Sequence, residues 1–416
     1  MKVLLTVAAW GRNYAELLAH YSLASVLSSN NLPRLGREHD VTCHIVTTAA
    51  DCEWLRQQPS VVALERHCTI LWDLMEDHGY GPNTVPAGLD DRKYPFLSLL
   101  QNLAFAQSRN HDAIVFNYAD FIWADGSLTN AVDMLEENVD AVLSFCLPVD
   151  QSSGIAALDQ SRAGKDDILN LPSRQLARIA VDHLHKEAKL RIWNAPQFTR
   201  SPSYLLWPVG SDGLIIRAYH QTILALKVQH DDPQFFEGIL RGSLDGYFSS
   251  RVGRTGRVKH ASDSDAVMVF SLYHTKINSV ARDMTSRESL MRILALTASE
   301  EQRRFVEVPI RVTTDISEPD AWNEIERQSW AELDDIHRAV PFDREAYERF
   351  HEERGNLADS LRPRTRLELI YRRLAPIFIQ SPIGMWIRRV AGGPARKLRL
   401  DVERALIKRG KSRQAR

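Results

Sequence analysis

"AIVFNYADFIWADGSL", residues 113–128, opens as an apolar run and then sets Asp120 and Asp125 five positions apart, ahead of an Asp-Gly turn. A short apolar run bounded by turn residues suits a strand covered on both faces, the kind a parallel sheet supplies. A carboxylate at the end of such a strand is costly to bury and needs a partner. In open α/β sheets ligands bind in the crevice beyond the C-terminal strand ends, which makes Asp120 a candidate for ligand contact. Asp125, in "DG", is expected to build the turn into a helix capped by Ser127.

Upstream of this stretch the pattern alternates. "KVLLTVAAW" predicts a first strand, a helix with Leu17, Tyr21, Ala24 and Leu27 on one stripe follows from about Tyr14, and "VTCHIVTT" predicts a second strand. A helix near Asp51 to Gln58 and a short strand at "CTILWDL" come next. The long loop "GYGPNTVPAGLDDRKYP" then delivers Asp90, Asp91, Arg92 and Lys93 to the start of a helix with Pro95 in its first turn and Phe96, Leu99, Leu100 and Leu103 on its buried face. Downstream, "DAVLSFCLPV" predicts one further strand.

This order defines an α/β fold whose first half, residues 1–150, is a Rossmann-like sheet. "DQSSGIAALDQSRAGKDD" is expected to be a flexible linker, and Ser173 to cap the helix after it. Residues 151–284 form a second, less regular half, in which "YLLWPVGSDGLIIRAYH" predicts a hairpin turning at Gly210 to Gly213. Residues 285–360 are expected to be a helical extension and 361–416 a basic amphipathic tail.

Charge supports that last division. The chain has 416 residues and a net charge of -1, yet residues 361–416 hold 16 Lys and Arg against 3 Asp and Glu, a charge of +13 that leaves -14 on the rest. A basic tail on an acidic body argues against a general nucleic-acid binder and for a local anionic partner, such as a phospholipid surface or RNA, the alternative being a helical tail packed on the acidic body of its own chain or of a neighbouring subunit. Arg372, Arg373, Arg388 and Arg389 bracket the apolar run 374–387, which at 14 residues with two prolines is too short to span a bilayer. Four irregularly spaced cysteines and an N-terminal apolar run that continues into "GRNY" predict a cytoplasmic protein, peripheral on the membrane. HExxH, Walker A, GxGxxG and GxSxG patterns do not occur.

In its order of elements along the chain, its "AAWGRNY" after the first strand, "LDDRKYPFLSLLQNLAFAQSRNHDAIVF" and the acidic strand end, the region 1–280 resembles the GT-A class of nucleotide-sugar glycosyltransferases, family-2-like. That resemblance implies a nucleotide-diphosphate sugar as donor, a glycan or lipid-linked acceptor, and a role in cell-surface polysaccharide synthesis. The class carries a DxD motif that holds the diphosphate through Mn²⁺ or Mg²⁺. Here the triplet is Tyr118-Ala119-Asp120, so the first acid is missing and metal independence is the alternative.

On this reading Trp10 and Asp51 contact the nucleoside, Lys93 a phosphate, and Asp120 the diphosphate or its metal. A catalytic base within hydrogen-bond reach of the acceptor hydroxyl is required for inverting transfer. "GSLDGYF" offers Asp245 for it, and "SDGLIIRAYH" offers Asp212, beside Arg217 and His220. The glycine-containing loop "RVGRTGRVKHASDSD" brings Arg254 and Arg257, which could neutralise the leaving diphosphate in place of a metal. Asp263, Asp265 and His274 are the further metal-ligand candidates. Two rivals stand beside this reading: a nucleotidyltransferase, which would use a glycine- and lysine-rich loop that is absent here, and a non-catalytic relative that binds a glycan or scaffolds an assembly.

Overall fold

A computed structural model of the chain describes residues 1–81, 93–135, 138–162, 168–199, 202–233, 235–239, 243–254, 257–274, 298–315 and 319–349. Asp90, Asp91 and Arg92, and the whole basic tail with the membrane contact expected of it, lie outside those residues. Among the described residues no helix is long and apolar enough to cross a membrane.

The strands in chain order are β1 (Lys2–Ala8), β2 (Asp40–Thr47), β3 (Thr69–Leu74), β4 (Ala113–Phe116), β5 (Phe121–Trp123), β6 (Ala141–Ser144), β7 (Leu147–Asp150), β8 (Tyr204–Val209), β9 (Gly213–Ala218), β10 (Thr222–Lys227), β11 (Val258–His260), β12 (Val269–Tyr273) and β13 (Ile310–Thr313). The fold is mixed α/β. Its large sheet runs β3, β2, β1, β4, β10, β6, β11 and is parallel throughout except for β10, which is antiparallel to both neighbours. Both faces are covered: Val3, Leu5 and Val7 pack in one core and Leu4, with Ile114 and Phe116, in another. Alternate residues of a strand point to opposite faces, so the unbroken apolar runs are what this two-sided burial demands.

The chain leaves β1 for β2 and β3 on one side and returns to β4 on the other, which makes the β1/β4 junction a topological switch point. Just beyond it the structure departs from expectation. "AIVFNYADFIW" is two strands, and so is "AVLSFCLPV": β4 and β6 stay in the large sheet, while β5 and β7 cross into a small sheet on either side of β12. A hydrogen-bond relay fixes the first crossing. Asn117 Nδ2 donates to Ser22 Oγ, which donates to the Tyr118 carbonyl, while Trp123 Nε1 donates to Asn117 Oδ1 and Trp123 N to Ser25 Oγ. Ser22 closes a π-helical turn, Leu18–Ser22, set in the helix that follows β1. Such wide turns bend a helix and re-aim its side chains.

Three further expectations are corrected. Residues expected as a linker begin with the helix Gln151–Gln160, because Asp150 caps it by accepting from Ser153 N. Ser127 and Ser173 are first helical residues, preceded by Gly126 and Pro172, and are not caps. Ser127 Oγ instead accepts from Met268 N, tying its helix to β12.

The predicted hairpin is β8 and β9, and β9 also pairs with β13 from the C-terminal extension, where the long helix Pro319–Ala339 lies. Gly213 sits opposite Thr313 in that pairing with φ +153°, and a Cβ there would fall 1.9 Å from the Val312 carbonyl oxygen. Gly213→Ala is therefore expected to cost about 3 kcal/mol, read as a lower urea midpoint, since neither backbone can move without breaking the ladder. An unchanged midpoint would mean that the β9/β13 pairing is looser than described.

Candidate active site

Asp120 occupies the crossing between β4 and β5, and its backbone carbonyl accepts from Leu272 N on β12. The side chain is half-buried. Burial raises its carboxyl to about 6, against the opposing pull of the Ser271 hydroxyl and the Lys93 ammonium. Asp120 thus stands where the sheet edge, the small sheet and the start of the helix Lys93–Gln107 converge.

From Asp120 the site extends in two directions. Toward β1, Lys93 Nζ lies 3.4 Å from the Tyr14 hydroxyl, and Tyr14 packs against Trp10 at 6.3 Å between ring centroids. Trp10 in turn meets Phe96 edge-on at 5.2 Å. The neighbouring Gly11 takes φ +77° and donates its N–H to Asp51 Oδ2 at 2.8 Å, an oxygen that also accepts from Thr48 Oγ1. Asp51 therefore ties the loop after β1 to the helix Ala49–Leu55 after β2. Burial and the Asp120 charge together raise the Tyr14 phenol.

In the other direction lies Asp245, in the π-helical turn Leu244–Phe248. The chain brings it to Asp120 from 125 residues away: Tyr118, Cys146 and Tyr273 are raised first by burial, and each also feels both carboxylates. Lys93, Asp120 and Asp245 are thus grouped, with Trp10 and Asp51 along the same edge. Sequence reasoning missed Tyr14, Ser271, Tyr273 and Cys146. In the sequence Tyr14 marks only a helix start, and Ser271 and Tyr273 sit in a strand whose small-sheet partners are non-local.

Other candidates are held elsewhere. Asp212 lies in the β8–β9 turn, its Oδ1 accepting from Ser211 Oγ and its carbonyl from Thr314 N. Tyr204, at the other end of β8, packs on Phe145 after β6, so the turn is roughly 17 Å further along the strand at ~3.3 Å per residue. Asp212 is a turn residue. Arg254 pairs with Glu301 at 3.6 Å. Arg257 pairs with Asp140, which precedes β6 and so marks the N-terminal edge of the sheet, opposite Asp120. The basic loop is accordingly compensated by this chain's own carboxylates. Arg257→Ala is expected to leave nucleotide affinity unchanged while lowering stability by about 1–2 kcal/mol, because the Asp140 side chain is 4% exposed and loses its cation. A large loss of nucleotide affinity would return the loop to the site.

The proposed metal pair is likewise engaged: Asp263 Oδ1 accepts from Asp265 N at 2.9 Å, and Asp265 takes Arg174 Nη2 at 2.7 Å. His274 follows Tyr273 on exposed chain, and its carbonyl accepts from His185 Nε2. Among the described residues the one grouping of three metal-ligand side chains is Glu38, His39 and Asp133. There Arg34 pairs with both acids and the N-terminus meets His39 Nδ1, so the charges are already balanced. Asp125 accepts from Asn30 N and Nδ2, clamping a neighbouring loop.

No family model matches the chain, and no curated protein matches it. Solved structures with a similar fold include mouse xyloside xylosyltransferase 1 in its apo form, at 14% identity and a TM-score of 0.24, over 41% of this chain and 64% of that one. A second is the mannosyltransferase PcManGT of Pyrobaculum calidifontis in complex with GDP-Man and Mn²⁺, at 14% identity and a TM-score of 0.29, over 92% and 82%. A third is S. aureus TarS, at 13% identity and a TM-score of 0.32, over 88% and 54%. Likenesses this slight leave function to be argued from the site alone.

Proposed function

We propose that the chain is a GT-A-like glycosyltransferase, moving a sugar from a nucleotide-diphosphate donor to a glycan or lipid-linked acceptor. One observation carries this reading: Lys93 acts on Asp120, and Asp120 and Asp245, distant in sequence, act on the same three side chains, Tyr118, Cys146 and Tyr273, beside the β1/β4 switch point of a mainly parallel sheet. Ligands of such sheets bind at that crevice. The half-buried Tyr14, backed by the buried Trp10, suits a nucleoside next to it, together with the Asp51-anchored loop.

In the reaction, Asp245 accepts the proton of the acceptor hydroxyl. The acceptor oxygen then bonds to the anomeric carbon, and the carbon–oxygen bond to the diphosphate breaks with its electron pair leaving on the phosphate. Lys93 and the N-terminus of the 15-residue helix it begins carry the positive potential that a departing diphosphate needs. A resident divalent cation fits these residues poorly. Asp120 offers one carboxylate, Tyr118 holds the position of the second acid with its hydroxyl accepting from Gln101, and the Lys93 ammonium already acts on Asp120. No step is therefore routed through a metal.

Thermal-shift screening of the full chain against UDP- and GDP-sugars, with Mn²⁺ and with EDTA, tests the reading. A donor at 100 times its Kd stabilises the fold by about 2.7 kcal/mol. Absence of a shift with every nucleotide would refute it, and a shift seen only with Mn²⁺ would restore the metal. Lys93→Met is expected to weaken donor binding about 10- to 100-fold, the worth of a charge-assisted hydrogen bond to phosphate. Unaltered affinity would remove Lys93 from the site.

A further inference from the structure

We infer that Tyr94 is the platform on which a pyranose ring of the acceptor lies, an assignment that rests on the glycosyl-transfer reading above. Tyr94 is 59% exposed, and among the described residues no other large aromatic side chain is left so open to water. Its place is specific. It follows Lys93, whose ammonium lies 4.9 Å from the Tyr94 ring centroid and 3.4 Å from the Tyr14 hydroxyl. The exposed ring is thereby coupled to the cation proposed for the donor phosphate.

Further aromatic groups continue from it. Tyr273, partly exposed at the end of β12, lies within electrostatic reach of Tyr94, Tyr204, Asp120 and Asp245 alike. Tyr204 packs on the partly exposed Phe145 at 4.2 Å. Tyr94 and Tyr273 thus join the same electrostatic neighbourhood as both carboxylates, and Tyr94 is its most exposed member. An aromatic face combined with a polar hydroxyl suits a ligand that is apolar on one face and hydroxylated at its edge. A pyranose has that character: its C–H face can lie on the phenol while an edge hydroxyl turns to Asp245. The nucleoside reading keeps Tyr14, whose hydroxyl meets Lys93 and whose ring packs on Trp10, and leaves Tyr94 to the acceptor.

The experiment compares the full-length wild type, Tyr94→Ala and Tyr94→Phe. Methyl glucoside, galactoside, mannoside and xyloside are titrated by saturation-transfer NMR, and UDP and GDP by calorimetry. The expected result is that at least one methyl pyranoside binds the wild type, that Tyr94→Ala weakens it about tenfold, and that Tyr94→Phe restores it to within about threefold. Urea midpoints of the three proteins serve as the folding control, since an exposed position has little effect on stability. Equal pyranoside binding by the wild type and Tyr94→Ala overturns the proposal, as does failure of every pyranoside to bind the wild type. Nucleotide binding separates the two readings. A nucleotide that binds without Tyr94-dependent pyranoside binding leaves the transferase reading standing and removes the platform. A Tyr94-dependent pyranoside in a protein that binds no nucleotide keeps the platform and removes the transferase.

Discussion

The Asp120→Asn protein is expected to lose donor-dependent turnover by about 100-fold or more and, at neutral pH, to melt higher than the wild type. The two effects share a cause. Burial lifts the Asp120 carboxyl from 3.8 to about 6, so the native state holds the proton more tightly than the unfolded chain does. Between these values the native state binds more protons, and stability therefore falls as pH rises from about 4 to about 6. Asn cannot ionise. Its stabilising effect should be complete above pH 6 and absent below about pH 4.

Activity runs the other way, because it is the charged carboxylate that acts on the Lys93 ammonium and holds it for the departing diphosphate. Turnover of the wild type should decline as pH drops through about 6, and the magnitude assigned to the substitution is that of losing the Lys93 contact to the departing diphosphate. A residue that costs stability and supports activity has the signature of a functional site. Melting curves at neutral pH and near pH 4, with nucleotide release assayed in parallel, check both halves. An Asn variant that melts lower at neutral pH refutes the burial argument, and one with full turnover refutes the role.

Arg217→Met should be the most destabilising of the substitutions considered, with no direct part in the chemistry. Arg217 is 2% exposed, and burial lowers its guanidinium to about 10. It donates to Ser329 Oγ, to the Val306 and Glu307 carbonyls and to the Glu326 carbonyl. The first and last belong to the long helix Pro319–Ala339, whereas Val306 and Glu307 follow the end of the helix Glu300–Phe305. One side chain of β9 therefore pins two helices, at the carbonyls that follow the end of one and, with Ser329 Oγ, at the Glu326 carbonyl in the body of the other. Each buried acceptor left unpaired costs about 1–3 kcal/mol, so the loss should exceed about 3 kcal/mol, with amides of residues 319–339 exchanging faster. A shift below about 1 kcal/mol would show that water replaces the guanidinium.

Arg217 also illustrates what the sequence conceals. Beside Asp212 in "SDGLIIRAYH" it has the look of a site residue, and nothing local distinguishes an arginine aimed at a ligand from one aimed at helix carbonyls. The basic loop deceives in the same way. Arg254 and Arg257 count as free cations until Glu301 and Asp140, remote in the chain, are seen beside them.

The strands β1 to β3, the helix before β4, the β8–β9 hairpin and the exit of Asp120 from a buried strand were determined by the sequence alone. Their signals are local: apolar periodicity, glycine at a turn, a carboxylate ending an apolar run. Sheet membership was not local. β4 with β5, and β6 with β7, read as single strands because pattern reports burial and not which sheet does the burying. Only the tertiary structure, through Ser22, Asn117 and Trp123 on one side and β12 on the other, decided that Asp120 lies in a crossing between two sheets. That crossing supplies the desolvation that raises its carboxyl, and it sets Lys93 and Asp245 beside it, because charge and burial act through space and not along the chain.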